Sequence, residues 1–364
     1  MAAPGRAVAP LRQLLPGIAI AVLLALLARL IAQQLAGGLA GLPKLPLSPV
    51  MCAVVLGMLW RNSLGVPLWA AAGLNWTMTR VLRIGIALVG MRLTLAGAGR
   101  IALTALPVAL TCLLLALTAG VLVARALRLP RPLAALLAVG TAVCGCTAVV
   151  ALAPVVRARH AETAFAVTCV VLFGCIAMLL YPYLAGHFFG AAPLHAGVFL
   201  GTAIHDTSQV IGAALIYSQQ AAAPQALAAA SVAKLLRNLS IAVLMPLAAW
   251  RMRTLSPPEG ESDLPATRPP LLPFFVVGFL LCIVLRSAGD ALLADSAGWP
   301  VLVQRATDSS DLLLTCGMTA VGLSVAFTDM WRIGWRPLGA GLSLATLVGA
   351  ASLALNLLLM HWGM

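Results

Sequence analysis

What this chain has least of is charge, and negative charge above all. Only 9% of its 364 residues are charged, against roughly 25% in an ordinary soluble domain. Asp and Glu together number 10, where Lys and Arg number 23. So few charged side chains exclude the solvated surface of a soluble globular protein. Aromatic residues are also scarce, at 5%, and no contiguous basic run occurs. The net charge of +13 therefore does not describe a nucleic-acid face, which clusters Lys and Arg among aromatic platforms. No CxxC pair is present, and the eight cysteines lie almost all inside apolar segments without His or Asp at ligand spacing. Neither a disulfide framework nor a metal site is expected, nor any cofactor; buried free thiols are the reading. The N-terminal stretch is long and polar for a signal peptide, so the first apolar run is expected to be a retained helix.

What is present is long apolar sequence, with 62% hydrophobic residues. A spanning helix needs about 20 mostly apolar residues, and such windows recur at 12–34, 47–60, 80–96, 101–124, 133–156, 163–186, 194–217, 226–250, 272–289, 307–328 and 337–361. The expectation is an all-α integral membrane protein of about 10 to 11 transmembrane helices, forming a single polytopic domain over 1–364. Gly, Pro and polar clusters inside several windows predict broken helices. Arginine counts on alternate connections place the N-terminus on the cytoplasmic side. Residues 254–270, TLSPPEGESDLPATRPP, read as a polar surface loop.

Two internal echoes bear on symmetry. GIALVGMRLTL at 85–95 aligns with GMTAVGLSVAF at 317–327, an offset of 232 that also places Arg100 on Arg332. The segment count gives these two opposite orientations, as an inverted-topology repeat requires. GTAVCGCTAVVAL at 140 echoes GTAIHDTSQVIGA at 201. There the count gives equal orientations, and the two echoes conflict.

Charge at membrane depth costs about 2.5 to 3.5 kcal/mol per group, so such residues face a cavity, a partner or a substrate. Lys234 and Arg237 share one helix face, with Asn238 one turn beyond Lys234. They serve either as countercharge to an anion or as partners of Asp206, which stands alone as an acid well inside a segment. Arg92 is read equally as an ion-pair member. Cys144, Gly145, Cys146 and Thr147 form a small-residue cluster that can unwind a helix and aim backbone N–H groups at an anion; close helix packing is the competing reading. His205 and Gln209 are one turn apart beside Asp206. A histidine and a carboxylate so placed can shuttle a proton, although a core histidine is often only hydrogen-bonded.

RIGIALVGMRLTL, AVCGCTAVVALAPVVRA, HDTSQV and AKLLRNLSIAVLMPL, in this order, together resemble the YeiH-type family of bacterial inner-membrane proteins, named as sulfate exporters. The resemblance runs from about 48 to 250 and resumes at 310–328. It implies the fold of the cation-proton antiporter and bile-acid symporter group: inverted repeats, discontinuous crossing helices, and a core that moves against a scaffold. It also implies export of sulfate or a related sulfur oxyanion, and it carries Cys144, Gly145, His205, Asp206, Gln209, Lys234 and Arg237 as motif positions. Thr207 and Ser208 depart from the small apolar pair usual there, and Cys146 and Thr147 from alanine or serine, so the pocket is more polar.

The expected function is secondary export of a small anion, sulfate or an organosulfonate, by alternating access. Cys144, Gly145, Cys146, Thr147, Gln209, Lys234, Arg237 and Asn238 would bind substrate, with His205 and Asp206 coupling to protons. The alternatives are a sodium or proton antiporter using Asp206 and, less favoured, a membrane-embedded enzyme. Expected partners are a small anion, the lipid bilayer of the bacterial inner (plasma) membrane, a coupling proton or sodium ion, and in a homo-oligomer a second copy of the chain; nucleic acid is not among them.

Overall fold

The computed structural model describes residues 10–36, 48–190, 192–244, 246–247, 274–293, 296–328 and 335–363. The polar loop expected at 254–270 lies outside the described residues, as does Arg332. In chain order the helices are α1 (Leu11–Ala36), α2 (Pro49–Ser63), α3 (Leu68–Trp76), α4 (Leu82–Val89), α5 (Leu95–Ala126), α6 (Arg131–Ala142) and α7 (Cys146–Leu152). They continue with α8 (His160–Phe189), α9 (Pro193–Ala203), α10 (Thr207–Gln220), α11 (Gln225–Leu239), α12 (Phe274–Leu292), α13 (Gly298–Ser324) and α14 (Trp335–His361). Among the described residues no strand occurs. Among the described residues six spans are long and apolar enough to cross a membrane: Arg12–Leu35, Leu95–Ala126, His160–Phe189, Gln225–Leu244, Phe274–Leu292 and Trp335–His361. The window expected to span 133–156 is instead broken into α6 and α7.

Local chemistry sets the starts of these helices. Ser48 Oγ accepts from the Met51 N–H at 3.1 Å, with Pro49 in the first turn of α2, where a missing N–H costs nothing. The Glu162 carboxylate accepts from the Arg159 N–H at 2.8 Å to open α8.

The chain divides into two compact units. The first comprises 1–94, 215–222 and 278–327. Within it α3 runs through a π-helical turn, Thr77–Val81, into α4 and a 3-10 turn, Gly90–Arg92. Arg92 donates to Asp311 at 2.6 Å and ends as an ion-pair member. Asp311 lies inside α13, so Asp206 is not alone as a segment acid. The 232-residue offset recurs in the packing. A Cβ on Gly85 would meet Leu314 Cδ2 at 2.9 Å, and one on Gly317 would meet Leu82 Cδ1 at 2.7 Å. Leu82 and Leu314 are themselves related by that offset, so the contact is reciprocal. The helix ends match too: Leu93 N–H donates to Gly90 O, and Val325 N–H to Gly322 O, both at 3.1 Å, with extended backbone at Leu93 and Val325.

The second unit comprises 95–214, 223–277 and 328–364. Its core packs Leu133, Leu136, Leu137, Val149 and Leu152 against Ala166, Cys169 and Val170 of α8, with Ala340 and Leu344 of α14. Two chain reversals organise it. A Cβ on Gly140 would lie 2.7 Å from Val149 Cγ2, whereas nine residues of straight helix would separate these positions by about 13 Å. The chain therefore doubles back at 143–145, and α7 returns along α6. Gly197 faces Ala226 O at 2.4 Å and Gly201 faces Ala230 O at 2.6 Å from their ideal Cβ positions. That constant stagger means α9 and α11 run in the same direction, backbone on backbone through small residues. Residues 204–224 must then carry the chain back to the level at which α9 began. Each echoing GTA segment is thus followed by a reversal of the chain. The equal orientations assigned to the two echoes rested on counting both windows as unbroken helices, which they are not.

Candidate functional site

The two reversals meet. At the first, Val143 to Gly145 are non-helical and Gly145 adopts φ +66°, a backbone region open to glycine. At the second, Ile204 is extended and Asp206 precedes the first turn of α10. A Cβ on Gly145 would lie 2.9 Å from Asp206 Oδ2 and 3.1 Å from Asp206 Cα. Only glycine satisfies both the dihedral and the approach. The small-residue cluster of the sequence is therefore a true break, placed against the His-Asp break.

Each reversal leaves the carbonyls of one helix C-terminus without intrahelical donors. Lys234 and Arg237, at 0% and 1% exposure, supply them from α11. The Lys234 ammonium donates to Val143 O at 2.9 Å, to Ile204 O at 3.1 Å and to His205 O. Arg237 donates through Nε to Ala142 O at 3.1 Å, through one terminal nitrogen to Thr202 O (2.5 Å) and Ile204 O (3.3 Å), and through the other to Thr141 O (2.5 Å) and Ala142 O (2.8 Å). Lysine has three N–H donors and arginine five. All eight are engaged, and all on backbone carbonyls. The helix macrodipole places about half a negative charge at each such end, so the two cations sit where the field favours them. Among the described residues no ion pair joins either to Asp206; the pairing weighed from the sequence is not made.

Asp206 has a different partner. Its Oδ1 accepts from the Ser208 N–H at 3.0 Å and from the Ser208 hydroxyl, capping α10 at its positive end. Asn238 Nδ2 donates to Thr207 Oγ1 at 3.3 Å. Cys146, Asp206, Thr207, Ser208 and Asn238 are half-buried and Thr147 is exposed, so these form the accessible edge of the site. Behind it everything is sealed: Cys144, Gly145, Thr202, His205, Lys234 and Arg237 are buried. Thr202, one turn before Asp206 and not among the expected site residues, fixes α9 to α14 through Ser352, their hydroxyls 2.7 Å apart. Its signal was the repeated GTA.

His205 does not share the Asp206 environment. It is 2% exposed, and neither ring nitrogen meets a hydrogen-bond partner. It lines a small pocket with Leu137, Thr141, Cys169, Val170, Phe173 and Gly341. Gln209 donates to Val171 O at 3.0 Å and toward Cys175 Sγ at 3.4 Å, lying against Gly174 of α8. Gln209 thus anchors α10 to α8. The site residues named from the sequence do converge on one place, yet in three layers: an outer polar edge, an inner pair of cations on carbonyls, and a small buried pocket lined by His205.

Comparison with known proteins agrees with a membrane protein. Residues 16–341 match the family model described as Conserved hypothetical protein 698. The UPF0324 membrane protein of Bacillus cereus is 31% identical over 327 residues, covering 90% of this chain and 86% of the relative. That of Pseudomonas putida is 32% identical over 334 residues, with 88% of each chain covered. That of Ralstonia nicotianae is 34% identical over 318 residues, with 84% of each covered. No solved structure gives a significant match. With nine-tenths of its length matched to relatives so named and six helices fit to cross a bilayer, the chain belongs to the UPF0324 membrane protein family.

Proposed function

We propose that the protein is a secondary transporter exporting a small anion of the sulfate or organosulfonate class, by alternating access across the bacterial inner membrane, with its N-terminus in the cytoplasm. The observation that carries this reading is the charge at the meeting of the two reversals. Lys234 and Arg237 bring two positive charges, and Asp206 returns one negative charge. The paired helix C-termini and N-termini contribute opposite partial charges of about equal size. The centre is left positive by about one charge, in a region of low dielectric where that field is strong. Because the donors of both cations are taken, an anion is held by their field from the outer edge. Its hydrogen bonds come from Thr147, Thr207 and Asn238, and the cations do not grip it directly.

The reciprocal packing of Gly85 on Leu314 and Gly317 on Leu82 supports the inverted-repeat reading, since a two-fold relation between the segments generates such pairs. Inverted repeats are the usual architecture of alternating access, and they support 10 to 11 membrane-embedded elements, two of them re-entrant. Purified protein in liposomes loaded with labelled sulfate should show saturable efflux, faster with external sulfate present. Absence of flux for sulfate, sulfite, thiosulfate and taurine alike would sink this reading. Asp206, half-buried with Oδ2 toward Gly145, sustains one competitor, sodium or proton antiport. Cation-driven dye signals without anion flux would establish it instead.

A further inference from the structure

Six carbonyl oxygens, from Thr141, Ala142, Val143, Thr202, Ile204 and His205, converge on the ammonium and guanidinium nitrogens of α11. Without those nitrogens this is a ring of hard oxygen ligands at two negative helix ends, the chemistry that sodium and potassium seek at half-helix termini. We propose that Lys234 and Arg237 are tethered, resident cations filling a monovalent-cation cage, and that the protein therefore works without sodium, a free cation binding there only when Lys234 is removed. The inference names the coupling chemistry of the site already assigned to transport, and rests on that reading only in speaking of coupling; the cage itself is a matter of geometry.

Three features argue for it. The oxygens come from two separate chain reversals at two negative helix ends, and every donor they receive from α11 is on a cationic side chain. The ammonium is seated among three carbonyls from both reversals, as a bare ion would be. The guanidinium spans the carbonyls of Thr141, Ala142, Thr202 and Ile204 with all five donors, which a spherical ion could not do, so only the Lys234 position is exchangeable.

The test is thermal unfolding of the full-length protein in detergent, in the chlorides of sodium, potassium, ammonium and choline at one ionic strength of about 0.1 M, so that screening is constant. The wild type should give the same Tm in all four salts. Lys234→Ala should unfold at lower temperature in choline, which is too large for the cage. It should recover several degrees in sodium, potassium or ammonium, because a ligand that binds only the folded state raises Tm. A sodium-specific rise in the wild type overturns the proposal, and so does a Lys234→Ala protein of unchanged Tm in choline. Should Lys234→Ala fail to accumulate, Arg237→Lys, which keeps a positive charge, serves with the wild type. Sodium-specific stabilisation of either then overturns the proposal, and equal Tm values in all four salts uphold it. Sulfate flux has no part in these readings, so failure of the transport assignment and failure of the cage are told apart.

Discussion

Gly145 packs directly against Asp206: an added Cβ on the glycine would come within 2.9 Å of the aspartate Oδ2 and 3.1 Å of its Cα. This contact joins the two chain reversals, and it predicts a sharp response to one methyl group. Gly145→Ala must adopt φ +66° and displace Asp206, together costing about 2 to 4 kcal/mol. A fall in Tm with loss of sulfate flux is expected. A variant of wild-type Tm would mean the reversals are not in contact.

Lys234→Ala and Arg237→Ala each strand several buried carbonyls, at about 1 to 3 kcal/mol for each left unpaired. Both variants should be strongly destabilised in choline buffer, read as Tm and as monodisperse yield. Arg237→Lys should sit between wild type and Arg237→Ala, because an ammonium replaces five fixed donors by three. Equal stability of all three proteins would show that the carbonyls find other donors.

The outer edge is expected to behave in the opposite way. Thr207→Val and Asn238→Leu remove half-buried polar groups with few partners, so Tm should move by less than about 1 kcal/mol equivalent. Sulfate flux at low substrate should fall about tenfold or more, the loss of one hydrogen bond to a charged ligand. Unchanged flux in both variants would move the anion elsewhere.

In the first unit the reciprocal contact makes an energetic forecast. Gly85→Ala and Gly317→Ala each push a methyl into a leucine, Leu314 or Leu82. Similar destabilisation, about 1 to 3 kcal/mol, is expected of both, measured by chemical or thermal unfolding. Costs differing by several kcal/mol would argue against a two-fold relation.

Much of the site was legible from residue types, and its wiring was not. A Gly-rich cluster and a His-Asp pair inside apolar runs announce broken helices because nothing else tolerates them there. Lys234 and Arg237 announce something buried of opposite sign, and the natural candidates are a carboxylate or a substrate anion. The partner proved to be backbone, which every residue carries and no sequence pattern marks. The reversal at Gly140 and Val149 was hidden for a related reason, since an apolar window looks the same whether the chain crosses or returns. Arg92 found Asp311, an acid near the end of its window, where a count of central charges overlooks it.

Lys234 and Arg237 lie downstream of both segments they clasp. During synthesis the chain from 131 to 206 leaves the ribosome before either cation exists. Until α11 is made, the six carbonyls at the two hairpin tips are without the donors that close them in the folded chain. The last helix of that group acts as a latch on the earlier ones, and a chain that ends before residue 225 would lack both cations that close the two reversals.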